Sequence, residues 1–243
     1  MIDKINHFSI VIPIYNEVLN INELVEGIYN SLNLTQFNSY EIIFINDGST
    51  DNTDDFFKKQ KLLLKLKDQK ILKLLENNLN LGQSFSISKG IKESKYNTIV
   101  TLDGDGQNNP KDISKLLEIY FSHEDIKLVG GIRKKRKDSY IKILSSKIAN
   151  SVRSYVLNDG CSDTGCSLKV FDKEVFEILP YFDGIHRFLP ALYKGYGNKT
   201  MFVDVDHRPR TRGISKYGTF GRLFRGIIDL IRVKIIINQY RRC

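Results

Sequence analysis

The sequence predicts an α/β protein: one large domain on a Rossmann-like, wound and mainly parallel sheet. Two observations predict it. Short β-branched apolar runs alternate with longer stretches of helical spacing, a strand, helix, strand rhythm that right-handed crossovers turn into a parallel sheet. The acidic residues that follow the apolar runs fall at strand carboxyl ends, where such sheets hold their ligands.

In chain order, "FSIVIPI" (Phe8 to Ile14) and "YEIIFIND" (Tyr40 to Asp47) are nearly continuous in apolarity, as strands covered on both faces should be. Between them Glu17 to Leu32 carries Leu19, Leu24, Ile28 and Leu32 at helical spacing. "STDNTDDFFKK" opens the next helix with residues that cap N-termini. "KILKLLEN" and "YNTIVTLDGD" supply two further strands, separated by the helical "GQSFSISKGIKES". From about Lys127 the pattern loses regularity, with a basic run "RKKRK" and a loop-like "NDGCSDTGC". The division expected is a catalytic domain over 1–220 and a terminal helix over 221–243.

Composition excludes several classes. With 41% hydrophobic and 27% charged residues the chain is globular rather than disordered. Its 37 Lys+Arg against 28 Asp+Glu, a net +9, attract phosphates, nucleic acid or anionic lipid headgroups without choosing among them. Cys161, Cys166 and Cys243 make neither a disulfide framework nor zinc-finger spacing, and read as thiols of a reducing cytosol. The N-terminal apolar run breaks at Pro13 and meets Asn16 and Glu17 without a cleavage site, so it is a strand rather than a signal. No run reaches the roughly 18 apolar residues of a spanning helix.

The chemistry concentrates in "LDGDGQ" (Leu102 to Gln107). Asp103 and Asp105 stand one residue apart, and each raises the cost of ionising the other unless a cation sits between them. Mg²⁺ or Mn²⁺ suits such a pair, because a hard cation takes oxygen ligands and commonly combines one or two carboxylates with substrate phosphates. A turn with two solvated carboxylates is the bland alternative, and the place after an apolar strand favours the metal. In "DGSTD" Gly48 permits a sharp turn and Ser49 or Thr50 caps the following helix; Asp47 is also free to accept from a nucleotide base or ribose. In "NLGQ" (Asn80 to Gln83) Gly82 allows close backbone approach, and the helix-start amides favour a phosphate.

"HRPRTRGISKYG" gathers Arg208, Arg210, Arg212, Ser215 and Lys216 around Gly213, a set suited to gripping phosphate oxygens. His186 and His207 read as hydrogen-bonded structural histidines. In the C-terminal stretch Arg222, Arg225, Asp229 and Arg232 share one helical face, and Phe224, Ile227, Ile228, Ile231 and Ile235 another. Such a basic amphipathic helix lies in an anionic membrane interface or packs on its own core or a partner chain.

Together, "VIPIYNE", "INDGSTDNT", "NLGQSFSISKG", "LDGDGQNNP", "DTGCSLKVF", "IHRFLPAL" and "HRPRTRGISKYG" resemble family 2 glycosyltransferases, and within them the polyprenyl-phosphate sugar transferases of the dolichol-phosphate mannose synthase kind. The resemblance covers about residues 8 to 235. It implies a glycosyltransferase A fold and inverting transfer from a nucleotide-diphosphate sugar with Mg²⁺ or Mn²⁺. Carried over, it sets Pro13, Tyr15, Glu17 and Asp47 on base and ribose, with Asn80 and Gly82 on the donor. Asp103 and Asp105 hold metal and diphosphate, and Gln107 touches the donor or acceptor side. Arg133, Arg208, Arg212 and Ser215 hold the acceptor phosphate, and Asp163 faces the reaction centre with Asp105, Arg210 and Lys216. The chain departs from many bacterial relatives in carrying no spanning helix after these motifs. It departs again around Phe85 and Ser86, where the family commonly has a small residue.

These features imply a protein peripheral on the inner face of the cytoplasmic membrane, with a lipid phosphate acceptor and with a second copy or a membrane protein as a candidate partner. A lipid monophosphate is anionic at neutral pH and needs little help from a base. A saccharide acceptor in envelope polysaccharide synthesis would need one, and Asp163 is the candidate. A nucleic-acid module is the reading from another class; the missing aromatic platform and helix-turn-helix pattern, and the acidic motifs, argue against it.

Overall fold

The computed structural model describes residues 6–32, 39–69, 71–134, 150–209 and 219–242. In order they form β1 (His7–Ile14), α1 (Val18–Leu32), β2 (Ser39–Asp47), α2 (Thr53–Lys59), α3 (Lys61–Asp68), β3 (Leu72–Asn77), α4 (Gln83–Lys92), β4 (Thr98–Thr101), α5 (Lys111–Ser122) and β5 (Ile126–Arg133). Helical residues 150–157 (α6) follow. Then come β6 (Lys169–Asp172), α7 (Lys173–Glu177), a 3₁₀ turn at Ile185–Arg187, α8 (Leu189–Gly195), β7 (Lys199–Val205) and α9 (Thr219–Tyr240).

The strands make a seven-stranded sheet in the order β3-β2-β1-β4-β6-β5-β7. Pairing is parallel throughout except at β6, which runs antiparallel to both β4 and β5. The continuous apolarity of β1 and β2 has the predicted cause, since alternate residues feed two separate cores. Phe8, Ile10, Ile12, Ile42 and Phe44 face α1, α2, α3 and α5. Val11, Ile43, Ile45 and Ile99 face α4, α8 and α9 through Ile87, Ile91, Leu192, Tyr193, Val233 and Ile237. Each side chain so buried contributes about 1.5–3 kcal/mol.

Three local expectations change. On α1 the buried stripe is Ile21, Leu24, Val25, Ile28 and Leu32, while Leu19 is 62% exposed. In "DGSTD" the caps serve the wrong helix: Asp51 Oδ2 accepts from Val18 N at 3.0 Å and so caps α1, and Ser49 Oγ accepts from Asn16 N at 2.9 Å. The N-cap of α2 is Asn52, with no side-chain bond. The C-terminal helix starts at Thr219 rather than 221 and ends at Tyr240. Its buried positions include Asp229, Val233 and Ile237, and Ile227, Ile228, Ile231 and Ile235 stand exposed. The side chains of Arg222 and Phe224 lie outside the described residues. Among the described residues no helix is long and apolar enough to cross a membrane.

Candidate active site

The loops after β1, β2, β3 and β4 meet at the carboxyl edge of the sheet. Pro13 lies in β1 opposite Ile45 of β2, and the chain turns immediately beyond, with Asn16 left-handed at φ 54°. Asn16 Oδ1 accepts from Thr50 N at 2.7 Å and Asp51 N at 3.2 Å, which ties the loop carrying Tyr15 and Glu17 to the loop after Asp47. Glu17 Oε2 takes Asn20 Nδ2 at 2.6 Å.

Asp47 is buried and fully engaged. Its Oδ1 accepts from Asn77 Nδ2 at 2.7 Å and Leu81 N at 3.0 Å, and its Oδ2 from Gly82 N at 2.9 Å. The carboxylate therefore moulds the turn that leads from β3 into α4, and sets the amino end of that helix beside the tip of β4. Gly82, at φ 92°, is the N-cap, and Asn80 is exposed on the same turn.

At the tip of β4, Gly104 passes so close to β1 that a Cβ there would lie 2.5 Å from Ile14 Cγ2 and 3.1 Å from the Pro13 carbonyl oxygen. Gln83 Nε2, from the first turn of α4, donates to Asp103 Oδ1 at 2.7 Å. Asn108 Oδ1 accepts from Asp103 N at 3.1 Å and from Ser167 Oγ at 2.8 Å. Asp105 Oδ1 accepts from Gln107 N at 3.1 Å. Beyond it Gln107 Nε2 stands 3.4 Å from His207 Nε2, and Arg208 N donates to Gln107 O at 2.9 Å. Arg208 Nη2 reaches Asn109 Oδ1 at 2.9 Å, and its Nη1 lies 4.0 Å from Glu23 Oε1. A cleft of about 160 Å³ opens between this loop and α1, lined by Asn20, Leu24, Gly106, Asn108, Arg208 and Pro209.

Burial first, and then the negative charge of Asp105, push the Asp103 carboxyl up to about 6, against the pull of Ser167, Lys169 and Arg133. The pair carries more negative charge than its surroundings stabilise, and its donors are hard oxygens, so it fits a hard divalent cation. Among the described residues no group of three or more His, Cys, Asp and Glu side chains forms a metal cluster.

Across the edge, Arg133 ends β5 and grips Asp163 through Nε at 2.6 Å and Nη2 at 2.7 Å. The buried Lys169 ammonium is pulled below the usual lysine range by desolvation and held up by Asp103 and Asp163. Burial also raises the thiols of Cys161 and Cys166, the latter to about 11, so they stay protonated.

Of the predicted site residues, Asp47, Gly82, Asp103, Asp105, Gln107 and Arg208 form one connected array through Gln83 and Asn108. Pro13 abuts it at Gly104, Tyr15 and Glu17 stand on the adjoining turn, and Arg133 with Asp163 acts on Asp103 through its charge. Arg210, Arg212, Ser215 and Lys216 lie outside the described residues. The sequence pattern missed Gln83, Asn108, Ser167 and Lys169. Gln83 was within reach, since it follows Gly82 in the quoted motif; nothing local marks Lys169.

Residues 9–179 match glycosyl transferase family 2. This chain is a member of that family. It is 31% identical over 241 residues to dodecaprenyl-phosphate galacturonate synthase of Rhizobium johnstonii (strain DSM 114642 / LMG 32736 / 3841), covering 96% of this chain and 68% of that protein. It is 29% identical over 229 residues to undecaprenyl-phosphate 4-deoxy-4-formamido-L-arabinose transferase of Proteus mirabilis (strain HI4320), covering 94% and 68%. Among solved structures it resembles glucosyl-3-phosphoglycerate synthase from Mycobacterium tuberculosis in complex with Mn²⁺, uridine diphosphate and glucosyl-3-phosphoglycerate. That likeness has a TM-score of 0.68 at 16% identity and covers 94% of this chain and 80% of the other. It establishes the glycosyltransferase A kind of α/β fold.

Proposed function

We propose that this family 2 glycosyltransferase moves a sugar from a nucleotide-diphosphate donor to a polyprenyl phosphate, with inversion and with Mg²⁺ or Mn²⁺. The observation that carries the reading is the carboxylate pair Asp103 and Asp105 at the tip of β4, tied by Gln83 to the amino end of α4. Relatives whose names specify dodecaprenyl and undecaprenyl phosphates support the acceptor. The Mn²⁺ and uridine diphosphate bound by the mycobacterial synthase support the donor class.

In this reading the base and ribose lie over Pro13, Tyr15, Glu17 and the turn held by Asp47, and the diphosphate faces Asn80, Gly82 and the first-turn amides of α4. Asp103 and Asp105 hold the cation, which when bound neutralises charge on the departing diphosphate. Gln107 borders the donor. Arg133, Arg208, Arg212 and Ser215 receive the acceptor phosphate, and Arg210 and Lys216 stabilise charge at the reacting centre; the part given to loop residues 210–216 rests on the sequence pattern. An acceptor phosphate with a second pKa near 6 is already a nucleophilic anion, so alignment and charge suffice.

A saccharide acceptor would need a base, and both oxygens of Asp163 are engaged by Arg133, which favours the phosphate. The finer division, a catalytic domain to 220 followed by a basic amphipathic helix, belongs to the same proposal. The exposed Ile227, Ile228, Ile231 and Ile235 beside Arg225 and Arg232, with the net +9, support α9 as a peripheral contact with an anionic membrane. A second copy or a membrane protein is the other cover that face would accept.

The test is transfer from a panel of labelled UDP, GDP and dTDP sugars to vesicles carrying a polyprenyl phosphate, with Mn²⁺ present. A labelled lipid that disappears with EDTA and with Asp105→Asn is expected. Transfer confined to a soluble saccharide would overturn the acceptor, and no transfer or binding with any donor would overturn the whole reading.

A further inference from the structure

The array around Asp103 rests on a junction more than 80 residues further along the chain. Ser84, wholly buried in the first turn of α4, accepts from Gly184 N at 2.7 Å and lies 2.7 Å from His186 Nδ1. In the tautomer that carries the ring proton on Nε2, the Ser84 hydroxyl, which accepts from the amide, donates its own proton to His186 Nδ1. Burial, aided by Arg187 and Lys169, pushes the ring down to about 3 and keeps it neutral. The segment bearing it is anchored from behind, where Arg187 Nη2 meets Asp229 of α9 at 2.9 Å. Gly184 takes the left-handed φ of 103°, and a Cβ there would lie 2.7 Å from Arg187 Nη2 and 2.8 Å from Asp229 Oδ2, against this ion pair.

The residue before Ser84 is Gln83, whose amide holds Asp103. We propose that His186 is a positioning residue for the transfer reaction: through the Ser84 hydroxyl it fixes the first turn of α4, and with it the Gln83 amide that orients Asp103. This rests on the reading in which Asp103 holds cation and diphosphate. A histidine that merely filled the core would need no acceptor at Nδ1, whereas a positioning role needs that one atom.

The two replacements that separate these cases are His186→Asn, whose Oδ1 stands near the place of Nδ1 and keeps an acceptor for Ser84, and His186→Phe, which keeps the ring and removes it. Calorimetric titration of the whole chain with UDP, GDP and dTDP, with and without Mn²⁺, first identifies the nucleotide that wild type binds in a Mn²⁺-dependent way. If none binds, the parent reading fails and the variants are not at issue. With that nucleotide, His186→Phe is expected to weaken Mn²⁺-dependent binding about tenfold and raise the Mn²⁺ concentration for half-saturation, the loss of roughly one charge-assisted hydrogen bond. His186→Asn should stay within about twofold of wild type. Ser84→Ala should match His186→Phe, and the double variant should be no weaker than either single one. Unchanged Mn²⁺ half-saturation in His186→Phe, or equal damage from Asn and Phe, overturns the assignment; if His186→Phe does not fold, Ser84→Ala alone carries the comparison.

Discussion

Arg133 holds Asp163 in a two-pronged ion pair, Nε to Oδ2 at 2.6 Å and Nη2 to Oδ1 at 2.7 Å, with side chains only 14% and 8% exposed. Removing one charge leaves the other in the interior, a loss on the order of 3 kcal/mol. Asp163→Asn is therefore expected to lower the melting temperature by roughly 6 °C or more in a chain of this size. Replacing both partners by apolar residues, Arg133→Met with Asp163→Leu, should recover much of that stability while transfer stays impaired. A general base would behave differently: Asp163→Asn would leave the melt in place and cost about 10²–10⁴ in rate. Thermal melts beside transfer rates separate the two.

His186 makes folding pH-dependent. Its folded pKa lies near 3, below the 6.5 of the unfolded chain, so its stabilising contribution is fully present above about 6.5 and is lost as pH falls through that window toward 3. The slope approaches 1.4 kcal/mol per pH unit, or roughly 1.5 kcal/mol between pH 6.5 and 5. Urea unfolding of wild type and His186→Asn over pH 4 to 7.5 should give curves whose difference carries that slope. Parallel curves would show that the histidine is not held neutral.

Much of this architecture can be read from the chain, and the parts that resist have physical causes. The strands β1 and β2 announce themselves because both faces are covered, so every residue from Phe8 to Ile12 is buried. Strand β5 hides behind Gly130 and Gly131, small because the Phe202 ring and Val205 occupy their side-chain space. The carboxylate pair was visible because its chemistry is local, two acids on one tip. Gln83 lies in a quoted motif but its partner is 20 positions away, and nothing local marks Ser84 and His186 as a pair, because their contact spans 102 positions. Likewise Ser49 and Thr50 read as caps of the helix that follows them, and only the fold brings Ser49 to Asn16 just ahead of α1.

The same substitution should act with opposite sign at two glycines. In α4 a Cβ on Gly90 would lie 2.5 Å from Val11 Cγ1 and 2.7 Å from Ile45 Cδ1. Overpacking of about 1–3 kcal/mol outweighs the helix preference for alanine of up to about 1 kcal/mol, so Gly90→Ala destabilises. In α9 a Cβ on Gly226 meets nothing within 4 Å. Gly226→Ala is expected to stabilise by about 0.5–1 kcal/mol. Denaturant midpoints of both variants check the pair, and a stabilised Gly90→Ala would mean that α4 does not press on the sheet as described.

Asp47 ties the end of β2 to the turn between β3 and α4, because its two oxygens accept N–H groups from Asn77 at the end of β3 and from Leu81 and Gly82 on that turn. Asp47→Asn keeps the size but turns one oxygen into a donor, so an amide or a backbone N–H on that turn must face another N–H. The expected cost is about 1–3 kcal/mol, the price of leaving a buried donor unsatisfied. The damage should be local before it is global: amide exchange at Leu81 and Gly82 should accelerate more than at Val11 or Ile43 in the sheet interior. Because the same turn sets Gln83 on Asp103, Mn²⁺-dependent nucleotide binding should weaken in step with that exchange. If exchange accelerates while Mn²⁺-dependent binding keeps its wild-type strength, the turn does not govern the carboxylate pair. If binding is lost with exchange unchanged, Asp47 acts on the nucleotide directly.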